Sequence, residues 1–133
     1  MPIAVIVLDT HAWLWWIAEP GRLSASARET IDHAQHLGVA TISCWEIAML
    51  AEAGRIALDR PVEIWMEQAL ADERTQPLPL TSTVAVRAAR LGREGFGGDP
   101  ADRIIYSTAR DTGAKLLTRD RRMRAFDPHG TTW

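Results

Sequence analysis

Cysteine is almost missing from this chain. Among 133 residues only Cys44 carries a thiol, so no internal disulfide can form and no cysteine-based zinc site can be assembled. Histidine is scarce as well. His11, His33, His36 and His129 are scattered without ligand-like spacing, which leaves a soft-metal centre without donors. No repeat, low-complexity stretch or linker divides the sequence. The first eighteen residues are rich in apolar side chains, but no basic segment precedes them, and Asp9 and His11 interrupt them. They read as neither a secretion signal nor a membrane span, so the expected location is cytoplasmic. Excess charge is missing too. The formal net charge of −2 does not advertise binding to a polyanion.

What is present describes a globular α/β domain. Hydrophobic residues make up 47% and charged residues 24%, enough for a full core in a chain of this length. The charge is unevenly spread. From Asp99 onward there are seven Lys and Arg against five acids, leaving eight against twelve before it. A basic final third beside an acidic cluster suits a polyanion held by arginines and cut by a bound metal. A solvated C-terminal face would give the same charge pattern.

The apolar run 3–8 predicts a strand buried on both faces, followed by a short helix over 10–18. Residues 24–37 predict an amphipathic helix capped by Ser24, with Ile31, Ala34 and Leu37 as its buried stripe. Val39–Ile42 predicts a second strand. Ser43 and Glu46 have the spacing of a capping box, and Gly54 closes the helix they open. Further helices are expected from Pro61, over Ser82–Gly92, and from Pro100 with Asp99 as cap. Strands are expected at 76–80 and 115–118, with a short turn or helix at 121–126 and a fifth strand in the last three residues. The glycine-rich segment 95–100 reads as the loosest part of the chain. Strands alternating with helices imply a three-layer α/β/α sandwich around a mainly parallel sheet.

Four acids stand where strands give way to helices: Asp9, Glu46, Asp102 and Asp120. In an open α/β sheet such strand ends lie side by side and form sites. Carboxylates gathered there repel one another unless a cation intervenes. Oxygen donors suit a hard divalent ion such as Mg²⁺ or Mn²⁺. Each acid also has a purely structural reading, as a cap, a turn or a first-turn residue. Asp9 is the hardest to explain that way, because it ends a six-residue apolar run. Cys44, beside Trp45, reads as core rather than catalyst. His33 and His36 read as helix surface, and His11 as a bystander to Asp9. Trp13, Trp15 and Trp16 cannot all face one core, so an outward ring is expected there. It would mark a partner surface, either a dimer seam or an inhibitor groove, with Trp45 and Trp65 packed inside or lining it.

LDTHAWLWW, ISCWEIAM, DPADRIIYSTA and LLTRD together resemble the four motifs of the PIN domain, and more closely those of VapC-type toxin ribonucleases. The resemblance spans nearly the whole chain and implies a single PIN domain over 1–133. It implies Mg²⁺ or Mn²⁺ dependence, endoribonuclease activity on RNA, a homodimer, and neutralisation by a cognate VapB-type antitoxin. By motif match Asp9, Glu46, Asp102 and Asp120 take the catalytic, metal-holding roles. Thr10 and Thr118 match hydroxyl positions near the site, and Arg119 stands beside them as a substrate contact. One departure is Gly97, where this subgroup often has histidine two residues before the Asp-Pro pair. It implies a more mobile loop and a different substrate choice. Competing readings fit less well. A haloacid-dehalogenase-like phosphatase wants an Asp where His11 stands. A receiver domain wants an acidic pair at the first strand end. A catalytically inert PIN module for RNA binding or assembly has no need of four intact acids.

Overall fold

The computed structural model describes residues 3–133. Five strands form one sheet: β1 (Ile3–Leu8), β2 (Ala34–Ala40), β3 (Thr75–Leu78), β4 (Lys115–Leu117) and β5 (Thr131–Thr132). Every pairing is parallel and the order is β3-β2-β1-β4-β5. Seven helices connect or follow them: α1 (Thr10–Ala18), α2 (Ala25–His33), α3 (Thr41–Glu52), α4 (Val62–Leu70), α5 (Ser82–Arg90), α6 (Pro100–Thr112) and α7 (Arg121–Phe126). None of the helices is long and apolar enough to cross a membrane.

The pleat sorts the apolar strand residues between two cores. Ile6, Leu8, Leu37, Val39 and Leu117 face a core with α1, α2 and α4, built around Trp13 and Trp65. Val7, Ala40 and Leu116 face a second core with Phe96, Ile105, Tyr106 and Met123. Burial on both sides is what the uninterrupted run of β1 requires. The register sets the site. Leu8 lies opposite Val39 on one side and Leu117 on the other, so the chain leaves all three central strands at one edge.

Two expectations fail around β2. The helix expected over 24–37 stops at His33, and the strand starts at Ala34 instead of Val39. The spacing of Ile31, Ala34 and Leu37 fits a helix, but pairing with β1 begins at Ala34. Sheet hydrogen bonds and burial override the local period. His36 is accordingly a strand residue, exposed beside Gln76. The strand then ends early, and α3 takes in Thr41 and Ile42. Ser43 is therefore inside the helix and caps nothing. Its hydroxyl is buried and accepts a hydrogen bond from Thr10 Oγ1 at 2.9 Å. Gly54 follows α3 with a left-handed φ of 70°, as a closing glycine should.

The segment before α6 is anchored at one ring. Phe96 is 2% exposed and packs on Phe126 and Tyr106, with ring centroids 5.4 Å and 6.1 Å away. Gly98 makes this possible, because a Cβ there would lie 2.5 Å from the Phe96 ring. Arg103 Nε adds a bond to the Gly98 carbonyl at 2.8 Å. A side chain at Gly97 would meet nothing within 4 Å.

The tryptophans also depart from expectation. Trp13 and Trp15 are buried and Trp16 is half-buried, so α1 presents no freely exposed indole. Trp13 packs edge-on against buried Trp65 at 5.8 Å, and Trp15 against Trp133 at 6.1 Å. The exposed ring is Trp45 on α3, at 55%.

Candidate active site

Asp9 is the first residue past β1. Its backbone N–H continues the β1–β4 ladder by donating to the Leu117 carbonyl at 3.1 Å. Its side chain caps α1, with Oδ1 accepting from the Ala12 N–H at 2.8 Å. Oδ2 accepts from Thr118 Oγ1. The same threonine oxygen accepts the Asp120 N–H at 3.0 Å. Thr118 thus ties together the two acids that leave β1 and β4. It is fully buried and Thr10 nearly so. Neither lines the cleft: Thr118 bonds to Asp9, and Thr10 to Ser43.

Asp120 caps α7 through the Met123 N–H at 3.1 Å, and Asp99 caps α6 through the Asp102 N–H at 2.8 Å. Asp102 follows in the first turn of α6. Glu46 comes from the second turn of α3, two residues after half-buried Cys44, which packs against the Trp13 core. These elements enclose an open cleft of about 440 Å³ lined by Asp9, His11, Trp15, Glu46, Asp99, Asp102, Arg119 and Asp120. The four acids singled out in the sequence therefore meet. Arg119 joins them, as does His11, whose ring centroid lies 5.6 Å from that of Trp15.

Asp99 is the residue that sequence reasoning undervalued. Glu46, Asp99 and Asp102 each bring a carboxylate oxygen into a group lying within 4.8 Å of one another. A capping aspartate three positions before a second acid carried the signal, since both belong to one helix start and point to one end of it.

This crowding shifts the acids. Burial, reinforced by Asp99, Glu46, Asp120 and Asp9, pushes the Asp102 carboxyl up to about 7. Burial also raises Asp9, although the Thr118 and Ala12 hydrogen bonds and the nearby His11 oppose it. Groups that resist ionisation together call for a cation. The donors are carboxylate oxygens, with no thiolate and one histidine at the wall. That set fits a hard ion such as Mg²⁺ or Mn²⁺ and fits zinc poorly.

A parallel α/β sandwich whose strand ends gather five carboxylates has a counterpart among known families. The chain belongs to the PIN domain family, whose profile matches residues 6–127. Over 123 residues, 92% of each chain, it is 46% identical to Ribonuclease VapC22 of Mycobacterium tuberculosis. Its fold resembles a chain of a toxin–antitoxin complex from Klebsiella pneumoniae with a TM-score of 0.70 at 18% identity, covering 96% of both. It also resembles a chain of VapBC2 from Rickettsia felis, solved with a fragment of promoter DNA. There the TM-score is 0.68 at 13% identity, covering 97% of this chain and 98% of that one.

Proposed function

We propose that this chain is an Mg²⁺- or Mn²⁺-dependent endoribonuclease, the toxin of a toxin–antitoxin pair. It acts as one domain over 1–133, in the cytoplasm, as a homodimer restrained by a cognate VapB-type antitoxin. The observation that carries this reading is the meeting of Asp9, Glu46, Asp99, Asp102 and Asp120 in one cleft. The 46% identity to a VapC ribonuclease supports RNA as the substrate and an antitoxin as the partner.

Asp9, Asp102 and Asp120, with Glu46 and Asp99 close to Asp102, would hold the ion. When bound, it would activate water and offset the charge that builds on the scissile phosphate. The chain's own residues do the rest. Thr118 and the Ala12 N–H fix both oxygens of Asp9, so its orientation is set before substrate arrives. Glu46, held to no other side chain by a hydrogen bond among the described residues, is placed to orient the attacking water. Arg119, which lines the same cleft, meets the phosphate next to the scissile one. No side-chain nucleophile is required. The Ser43 hydroxyl is engaged by Thr10, and Cys44 packs on the core.

Growth and cleavage together test the reading. Expression of the chain alone should arrest a host, and co-expression with its neighbour-encoded antitoxin should restore growth and yield a complex. Asp9→Asn should be harmless without the antitoxin. Harmless expression with active ribonuclease in the lysate refutes the toxin role and spares the nuclease. Harmless expression without ribonuclease activity favours the inert PIN module.

A further inference from the structure

The cleft has one basic rim, and its geometry is unusual. Arg119 lies among five carboxylates yet makes no ion pair within 4 Å among the described residues. A flexible arginine free to fold inward would neutralise those acids and block the site. It is held elsewhere: its guanidinium carbon lies 5.7 Å from the centroid of the Trp15 ring. Arg22 meets the same ring at 4.9 Å. Trp15 is itself fixed, 8% exposed and packed edge-on against Trp133. One buried indole therefore carries two guanidinium groups at the cleft margin. Cation–π attraction holds each guanidinium against the ring. Arg22 also touches Glu19 at 3.4 Å, but both side chains are more than half exposed, and such a pair yields readily to a stronger anion.

We infer that Arg119 and Arg22, oriented by Trp15, form a track for the RNA backbone that leads away from the cleft over the start of the chain's first helical layer. The inference rests on the ribonuclease reading and adds a direction to it. The phosphate flanking the scissile one meets Arg119, and the next meets Arg22. The two guanidinium carbons lie 4.9 Å and 5.7 Å from one ring centroid, so one strand of backbone can reach both. The carboxylates that line the rest of the cleft, Glu46 and Asp99 among them, offer only repulsion. Trp15 is a positioning residue in this scheme, because its ring is too buried to stack on a base.

The test is the salt dependence of kcat/KM for cleavage of a single-stranded RNA oligonucleotide in Mg²⁺. Each phosphate contact contributes about 0.7 to the slope of log affinity against log salt for a single strand. Arg22→Ala and Arg119→Ala should each reduce the slope by about that amount, and the double variant by about 1.4. Raising salt fourfold should then cost wild type about 2.6 times more activity than either single variant. For Arg22→Ala the change should fall on KM, with kcat within twofold. Arg90→Ala, an exposed arginine on α5, should leave the slope unchanged. Trp15→Leu should mimic the double variant, and Trp15→Phe should restore most of the slope. If Trp15→Leu fails to fold, the arginine variants still decide the matter. An active wild type whose slope is untouched by Arg22→Ala, or reduced equally by Arg90→Ala, overturns the track. An inactive wild type overturns the ribonuclease reading itself, and the track with it.

Discussion

Replacing Asp102 by asparagine should stabilise the metal-free protein while removing its chemistry. The carboxyl is pushed from 3.8 up to about 7 by burial and by four neighbouring acids. Between about pH 4 and pH 7 the folded state keeps a proton that the unfolded chain has released. Stability therefore falls as pH rises through that window and levels off above it. At about 1.36 kcal/mol per pH unit, the full shift corresponds to about 4 kcal/mol above pH 7. The group is only partly buried, so solvent screening reduces this to about 2 kcal/mol. Its place at a helix N-terminus offsets up to about 1 kcal/mol more. Asp102→Asn removes the charge and keeps the shape, so it should gain about 1–2 kcal/mol at pH 8, or about 3–8 °C in Tm. At pH 4.5 the gain should shrink to less than half. Thermal melts of both proteins in chelator at the two pH values measure this. A variant that is less stable than wild type at pH 8, or equally shifted at both, refutes the reasoning. Saturating Mg²⁺ should invert the order, because only wild type gains binding energy from the ion.

Three further outcomes follow from the same geometry. Thr118→Val removes the donor to Asp9 and the acceptor for Asp120. It should cost about 1–3 kcal/mol in urea unfolding and lower kcat more than KM. Asp99→Asn preserves the cap, so stability should change by only a few tenths of a kcal/mol. Mn²⁺ affinity by calorimetry should nevertheless fall, and an unchanged affinity would return Asp99 to a capping role alone. Trp16 and Ile17 line a groove of about 260 Å³ with Trp65 and Ala69, so Trp16→Ala should weaken the antitoxin complex at least about tenfold. Arg74 stacks on Trp16 at 5.8 Å, so the neutral control is Arg90→Ala.

Much of this was legible in the sequence because its signals were local. The apolar run before Asp9 could only be a buried strand, and Asp99-Pro100 could only open a helix. β2 was misplaced because Ile31, Ala34 and Leu37 carry a helical period into the strand, and only pairing with β1 overrides it. That error made Ser43 a cap, when it is a buried partner of Thr10 thirty-three residues away. Phe96 hid among glycines, whose flexibility is a poor guide when one of them exists to let a ring fold back. The Asp9–Thr118–Asp120 linkage spans 109 residues between its first two members. No local pattern could have revealed it. The exposure of Trp45 and the burial of Trp15 likewise depend on which neighbours arrive.

The central claim is that the carboxylate cleft cuts RNA by holding a divalent ion. Its most direct test titrates Mn²⁺ into one preparation while recording ion binding and RNA cleavage together. Both should rise along one curve, chelator should abolish cleavage, and Asp9→Asn should lose both while keeping its fold. Cleavage that persists in chelator, or in Asp9→Asn, would contradict it.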